Sequence, residues 1–157
     1  MYTNESYQQN RAQLKTRSLA CGLPLLVLFA MMLVSFFLRW PEALTVALSI
    51  VVFGCAILFY GMLISPVRAY GKHIRHALNG RTRKLQGAFV SMEEEAVGRD
   101  GVMFYPFVVN VGDMEDEADD RLYYMDANLP RPEWQKGDKL EITSYDNRVT
   151  AWEAVKE

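Results

Sequence analysis

Two uncharged apolar runs, parted by only four residues, constrain this chain more than anything else in it. They are residues 18–38 (SLACGLPLLVLFAMMLVSFFL) and 43–64 (ALTVALSIVVFGCAILFYGMLI). The runs are 21 and 22 residues long, and each holds twelve Leu, Ile, Val or Phe. A hydrocarbon layer of ~30 Å is crossed by about 20 helical residues. Each large apolar side chain favours that layer by roughly 0.3–0.6 kcal/mol near its centre. A helix packed in a soluble core usually keeps a polar stripe, and neither run has one. Both are expected to be transmembrane helices. The first is longer than the apolar stretch of a secretory signal, about 7–15 residues. Arg39-Trp40-Pro41 follows it in place of small residues, so it reads as a retained span. A four-residue link, Arg39 to Glu42, forces an antiparallel hairpin.

Charge sets the expected orientation. Residues 1–84 carry ten Lys and Arg against two acids, whereas residues 85–157 carry seven against seventeen. Arg11, Lys15 and Arg17 precede the first run, and Arg68, Lys72, Arg75, Arg81, Arg83 and Lys84 follow the second, with only Arg39 between the two. Cations stay on the inner side, which predicts a multi-pass plasma-membrane protein with both termini cytoplasmic. Trp40 suits the headgroup layer, and Arg39 can snorkel into it. No ionisable residue lies in either run. Such a residue would mark an ion or proton path, so a transporter acting alone is not expected. Cys21 and Cys55 fall at different depths of an antiparallel hairpin, roughly 10 Å apart at ~1.5 Å rise per residue. A disulfide needs Cα atoms within about 7 Å, so none is predicted. Ala47, Gly54 and Gly61, spaced by seven, put small residues on one helix face. That face permits close backbone approach, either to the first helix or to a second copy of the chain.

Beyond Ser65-Pro66, which is expected to end or kink the second span, residues 66–80 (PVRAYGKHIRHALNG) read as a short amphipathic helix. Val67, Tyr70, Ile74, Ala77 and Leu78 share one face, and Arg68, Lys72 and Arg75 another. Such a helix can lie on the inner leaflet. Each cation of the collar (Arg68, Lys72, Arg75, Arg81, Arg83, Lys84) contributes about 1 kcal/mol against anionic lipid. His73 and His76 read as surface residues near headgroups, because two histidines without a nearby Cys do not make a zinc site.

Residues 85–157 alternate short strand-like runs with turn signals. The runs are 85–92, 102–111, 121–125, 139–144 and 148–154, with Asp100-Gly101 as a hairpin signal and a turn at Tyr145-Asp146-Asn147. The stretch 128–138 (NLPRPEWQKGD) is too rich in turn formers for a strand. Five short strands in about 70 residues suggest a small all-β barrel, OB-like or SH3-like. Gly87 fits a sharp bend, and Pro106 implies a bulge or an edge. The expected organisation is thus a cytoplasmic tail (1–17), the helical hairpin (18–64), a basic juxtamembrane helix and linker (65–84), and a five-stranded cytosolic barrel (85–157).

This layout, two membrane helices and then a cytosolic OB-like barrel over residues 18–154, resembles the NfeD-like architecture. The segment RDGVMFYPFVV followed by RLYYMD is also similar to two-span membrane proteins of Gram-positive bacteria. The NfeD-like resemblance implies partnership with membrane proteases and stomatin-type scaffolds, and neither resemblance assigns functional residues.

The residues also limit the chemistry. Tyr105, Tyr123, Tyr124, Trp134 and Trp152 offer surfaces on which bases could stack. A domain so acidic repels phosphate, so nucleic acid is not an expected partner. The acidic run 113–120 (DMEDEADD) departs from a calcium loop, which wants Gly at its sixth and Glu at its twelfth position. Those positions hold Ala118 and Tyr124. Residues 85–157 contain neither His nor Cys, so Ser-His-Asp and Cys-His arrangements cannot form within them. The expectation is no enzyme, no cofactor and no metal. A membrane-anchored interaction module would recruit or regulate a membrane-associated protein. The alternatives are a structural or lipid-surface-sensing protein and a component of a small oligomeric channel.

Overall fold

A computed structural model describes residues 1–155, so the last two residues of the expected barrel domain lie outside it. The chain forms two compact units, residues Gln8–Ala69 and the segment Met1–Tyr7 with the chain from Tyr70 onward.

The first unit is a pair of long apolar helices. Helix α1 spans Asn4–Phe37, 34 residues, so residues of the expected N-terminal tail are helical. It closes at Arg39, whose φ of 52° is left-handed. Arg39 N–H reaches the Phe36 carbonyl at 3.3 Å, and Trp40 N–H the Ser35 carbonyl at 3.0 Å. This pair of bonds satisfies carbonyls that the helix end leaves without partners. Pro41, which cannot continue the helix, then starts α2 (Glu42–Phe59). Three hydrogen bonds fix the antiparallel pairing: Ser35 Oγ to Thr45 Oγ1 at 2.7 Å, Arg17 to the Leu63 carbonyl at 3.5 Å, and Asn10 Nδ2 to the Val67 carbonyl at 3.2 Å. Both helices are long and apolar enough to cross a membrane, and only 11% and 6% of the residues in their most apolar windows are buried. A soluble core helix would be mostly covered.

Of the two expectations for Ser65-Pro66, an end or a kink, the end is not found: the helix continues through a distorted turn. Residues Tyr60–Ile64 form one π-helical turn, and α3 (Ser65–Asn79) follows directly. Proline at 66 lacks an N–H, and its ring crowds the carbonyl four residues back. Widening the preceding turn, with Ser65 N–H bonded to the Tyr60 carbonyl, makes room for the ring without ending the helix.

The second unit carries a six-stranded mixed sheet: β1 (Arg83–Met92), β2 (Val97–Arg99), β3 (Val102–Asn110), β4 (Asp120–Asp126), β5 (Lys139–Tyr145) and β6 (Arg148–Ala154). The order is β1-β5-β6-β4-β3-β2, and β1 also pairs with β3, so the sheet returns on itself. Five of these strands match the expected runs closely; β2 is additional. Strand β1 makes the closure by serving two neighbours. Residues 83–88 pair with β5 and residues 88–92 with β3. The hand-over falls at Gly87-Ala88. A Cβ on Gly87 would lie 2.5 Å from both the Asn110 carbonyl oxygen and Val109 Cγ1. Gly87→Ala is expected to destabilise this unit by about 2–3 kcal/mol, the upper range for overpacking, read as a lower urea midpoint of the full chain in detergent.

Pro106 occupies the site where β3 changes partners on one side, between Phe104 paired to β2 and Phe107 paired to β1. Its own carbonyl accepts Glu93 N–H at 2.9 Å. A missing donor is tolerated there because no strand residue faces it. The β1 ladder opposite shifts register between Phe89 and Ser91, a bulge on the partner rather than on β3. The core comprises Phe89, Phe107, Val109, Tyr123, Met125, Leu140, Ile142 and Val149. The turn-rich stretch 128–138 supplies a lid residue, Trp134, with ring centroids 5.2 Å from Phe107 and 4.9 Å from Trp152.

Candidate functional site

A second buried cluster in this unit is polar. Two tight turns build one side of it. Asp100 and Gly101 join β2 to β3, and Asp146 and Asn147 join β5 to β6, all four with positive φ. Two-residue loops of this kind match the twist of the strands they connect. They place Arg148 and Asp100 together as an ion pair, with Asp146 3.9 Å from the same guanidinium. Helix α3 supplies Tyr70, His73 and His76. Strand β4 ends in Asp126, which is fully buried. Residue Tyr2 of the N-terminal segment completes the cluster.

Hydrogen bonds link these groups in one direction. The Tyr2 hydroxyl donates to Asp126 Oδ2 at 2.8 Å. A hydroxyl has one proton, so toward His73 Nε2, 2.9 Å away, Tyr2 can only accept. Nε2 therefore carries the imidazole proton. His73 Nδ1 lies 2.7 Å from the Tyr145 hydroxyl. In the neutral ring it is bare and accepts that proton. Tyr145 in turn accepts from Arg148 at 3.5 Å, a long contact. The contacts run Arg148 to Tyr145 to His73 to Tyr2 to Asp126, and either the neutral ring or an imidazolium donating Nδ1–H to Tyr145 satisfies them. Asp126 Oδ1 accepts both the backbone N–H and the side-chain amide of Asn128, each at 2.9 Å.

Electrostatics favours the neutral ring. Burial pushes the His73 imidazole down to about 4; Asp126 opposes the shift, and Arg148 and His76 add to it. Burial and Asp126 push the Tyr2 and Tyr70 phenols well above their ordinary value. Phe104 meets the His73 ring edge-on at 5.2 Å, so one face of the cluster is dry. The arrangement holds a neutral imidazole between two phenols. Its hydrogen-bonding atoms are turned on each other.

The sequence expectation for His73 is thus corrected: it is 3% exposed and not a surface residue, whereas His76 is exposed. His73 lies between Tyr70 and Ala77 on the apolar face of α3, one position from Ile74, which is 1% exposed. That spacing was the available signal. Residues Tyr2 and Asp126 had none, being 71 and 124 positions from their partners His73 and Tyr2. The α3 residues of the apolar face in this unit, Ile74 above all, are used against protein, which removes them from the expected lipid contact.

The remaining predicted residues stay apart from this cluster. Arg68, Lys72, Arg75, Arg81, Arg83 and Lys84 are all exposed. Lys84 is committed to Glu141 at 2.8 Å. Ala47, Gly54 and Gly61 are exposed too, and a Cβ on either glycine would meet nothing within 4 Å. Within one chain the hairpin packs through the face bearing Thr45 and Val52, with Thr45 Oγ1 2.7 Å from Ser35 Oγ. In the acidic run, the carboxylates cap their own turns: Asp113 accepts Glu115 N–H, and Asp116 accepts Ala118 N–H. Buried Asn110 ties the run down through the Asp116 carbonyl and Asp120. Among the described residues no three His, Cys, Asp or Glu are grouped to hold a metal ion, and both cysteines are free. Compared with family models, curated proteins and solved structures, the chain matches none of them.

Proposed function

We propose that this chain is a membrane-anchored interaction module whose β unit receives an extended segment of a membrane-associated protein. Helices α1 and α2 form the anchor, both termini are cytoplasmic, and the exposed collar cations meet the inner leaflet. The two apolar helices, nearly uncovered, support the anchor, and the flanking cations support the orientation. The ring order, β1-β3-β4-β6-β5-β1 with one parallel contact, favours an OB-like barrel over an SH3-like one.

The observation that carries the reading is a free strand edge. Strands β4 and β6 meet at a single parallel pair, Tyr124 with Arg148, sealed by Tyr124 N–H on the Asn147 carbonyl at 2.9 Å. Beyond it, residues 120–123 of β4 have no sheet partner on that side among the described residues. An open edge of this kind is a template for strand addition, with backbone hydrogen bonds giving affinity and alternate side chains giving selectivity. Leu122 lies two residues from Tyr124, so its N–H shares that outward direction, and its side chain is 43% exposed.

Leu122→Pro tests the reading. It deletes an outward donor and leaves the β3–β4 bonds of Tyr123 and Met125 in place. With the full chain crosslinked in cells, loss of a specific partner from this variant, with its circular dichroism unchanged, is expected. Capture equal to that of the unsubstituted chain would overturn the edge as the docking surface.

A further inference from the structure

We propose that the segment received at the β4 edge is basic: a stretch rich in Lys and Arg that flanks a span of another membrane protein on its cytoplasmic side. The proposal rests on the strand-addition reading above and names the chemistry of the occupant.

Both ends of the free edge carry carboxylates. At one end Asp120 opens β4, and residues 113–119 before it bring five more acids. The run is tied to the sheet. Val111 N–H bonds to the Asp119 carbonyl at 3.1 Å, and buried Asn110 holds the Asp116 carbonyl at 3.0 Å and the Asp120 carboxylate at 2.9 Å. At the other end Tyr124 N–H meets the Asn147 carbonyl, which sets Asp146 beside the edge with its side chain 81% exposed. Within residues 113–124 the one cation is Arg121, and its guanidinium is turned to the Ala118 and Asp120 carbonyls at 2.9 and 3.0 Å. Among the described residues no ion pair engages the carboxylates of residues 113–120.

The backbone bonds of an added strand are blind to charge, so the flanking carboxylates decide between segments. They act over about 8 Å in physiological salt. Opposite charge speeds encounter, and like charge across an interface is strongly disfavoured. The place of the β unit in the chain narrows the class further. The unit continues from Tyr70, just past the second apolar run, which ends at residue 64. On the cytoplasmic side, segments within ~15–20 residues of a span are rich in Lys and Arg. A unit tethered there meets such segments at high local concentration. The anionic leaflet attracts the same cations and repels the acidic run, so lipid competes for the segment and not for the edge.

The test uses the full chain in uncharged detergent micelles and three octapeptides, each with a benzophenone at its centre. One alternates Lys with Thr, one Glu with Thr and one Ser with Thr. Mass spectrometry locates the photochemical attachment. At ~50 mM salt the Lys peptide is expected to attach at residues 120–124 with about tenfold or more the yield of the Glu peptide, and the ratio should fall several-fold at ~300 mM. The triple variant Glu115→Gln, Glu117→Gln, Asp146→Asn removes three exposed carboxylates. Asparagine tolerates the φ of 47° at position 146, so the turn is kept. This variant should lower the ratio several-fold, and Leu122→Pro should abolish attachment of every peptide. Equal yields from all three peptides, or an unchanged ratio in the triple variant, with attachment still lost in Leu122→Pro, overturn the charge selection and leave the edge reading standing. A Lys peptide that attaches equally well to Leu122→Pro, or no attachment of any peptide to the unsubstituted chain, overturns the proposal together with the edge reading.

Discussion

Phe107→Ala is expected to cost the β unit about 3–5 kcal/mol, the range for truncating a fully enclosed phenylalanine. Phe107 is 1% exposed. Its ring contacts Tyr123 at 6.0 Å, Phe89 at 6.5 Å and Trp134 at 5.2 Å. It lies in β3, which pairs with β1, β2 and β4. A cavity there cannot be filled by one neighbour moving, because each of these rings is held on its own strand or lid. Small domains have stabilities of about 5–15 kcal/mol, so the loss consumes a large share. Urea unfolding of the full chain in detergent, followed by near-ultraviolet circular dichroism, should show a much lower midpoint for the aromatic signal. The far-ultraviolet signal of α1 and α2 should persist beyond it. Simultaneous loss of both signals would mean that the helices and the sheet unfold as one.

Asp126→Ala is expected to cost a comparable amount, about 3–5 kcal/mol, for a different reason. Its two oxygens accept the Tyr2 hydroxyl, the Asn128 backbone N–H and the Asn128 amide. The same carboxyl group also pushes the Tyr70 phenol up. Alanine removes the acceptor and leaves these donors in a dry site, and breaking a buried charged interaction one-sidedly costs in this range. Asp126→Asn keeps the shape and one acceptor oxygen. It should cost less, about 1–2 kcal/mol. Thermal unfolding of both variants at pH 7.5 checks the order. A reversed order would mean that the carboxyl group is a burden that packing carries, not an anchor for its donors.

Legibility varied with the range of the forces involved. Strand β6 (Arg148–Ala154) was read with its exact bounds, and β5 to within one residue. In both, the alternation that defines a strand is local, as Leu140 and Ile142 show. Strand β2 has only three residues, Val97–Arg99, too few for any alternation to register. Its pairing with β3 exists because the Asp100-Gly101 turn folds it back. Pro66 is preceded by a distorted turn but does not end the helix. A proline ends a helix only if the backbone has no way to re-route its bonds, and one wide turn at Tyr60–Ile64 provides the way. The small-residue face of α2 is exposed in the single chain, which leaves a second copy as its remaining expected neighbour. Spacing by seven places Ala47, Gly54 and Gly61 together but does not say what they face.

The candidate site was the least legible part. Helical spacing puts His73 beside Ile74 on the apolar side of α3, yet a histidine there is compatible with lipid headgroups, water or protein. Nothing near residue 2 or residue 126 announces that their side chains meet.

By itself, the sequence determined the two apolar helices, the acidic strand-rich half and the cations between them, because transfer free energy and backbone periodicity act residue by residue along the chain. Tertiary structure alone decided that β1 closes the sheet on itself, that α3 turns its apolar face to protein, and that His73 is buried among Tyr2, Tyr145 and Phe104. These depend on hydrogen bonds between groups far apart in the chain. Such bonds have a donor, an acceptor and a direction only once folding has brought their partners together and driven out the water that would otherwise replace them.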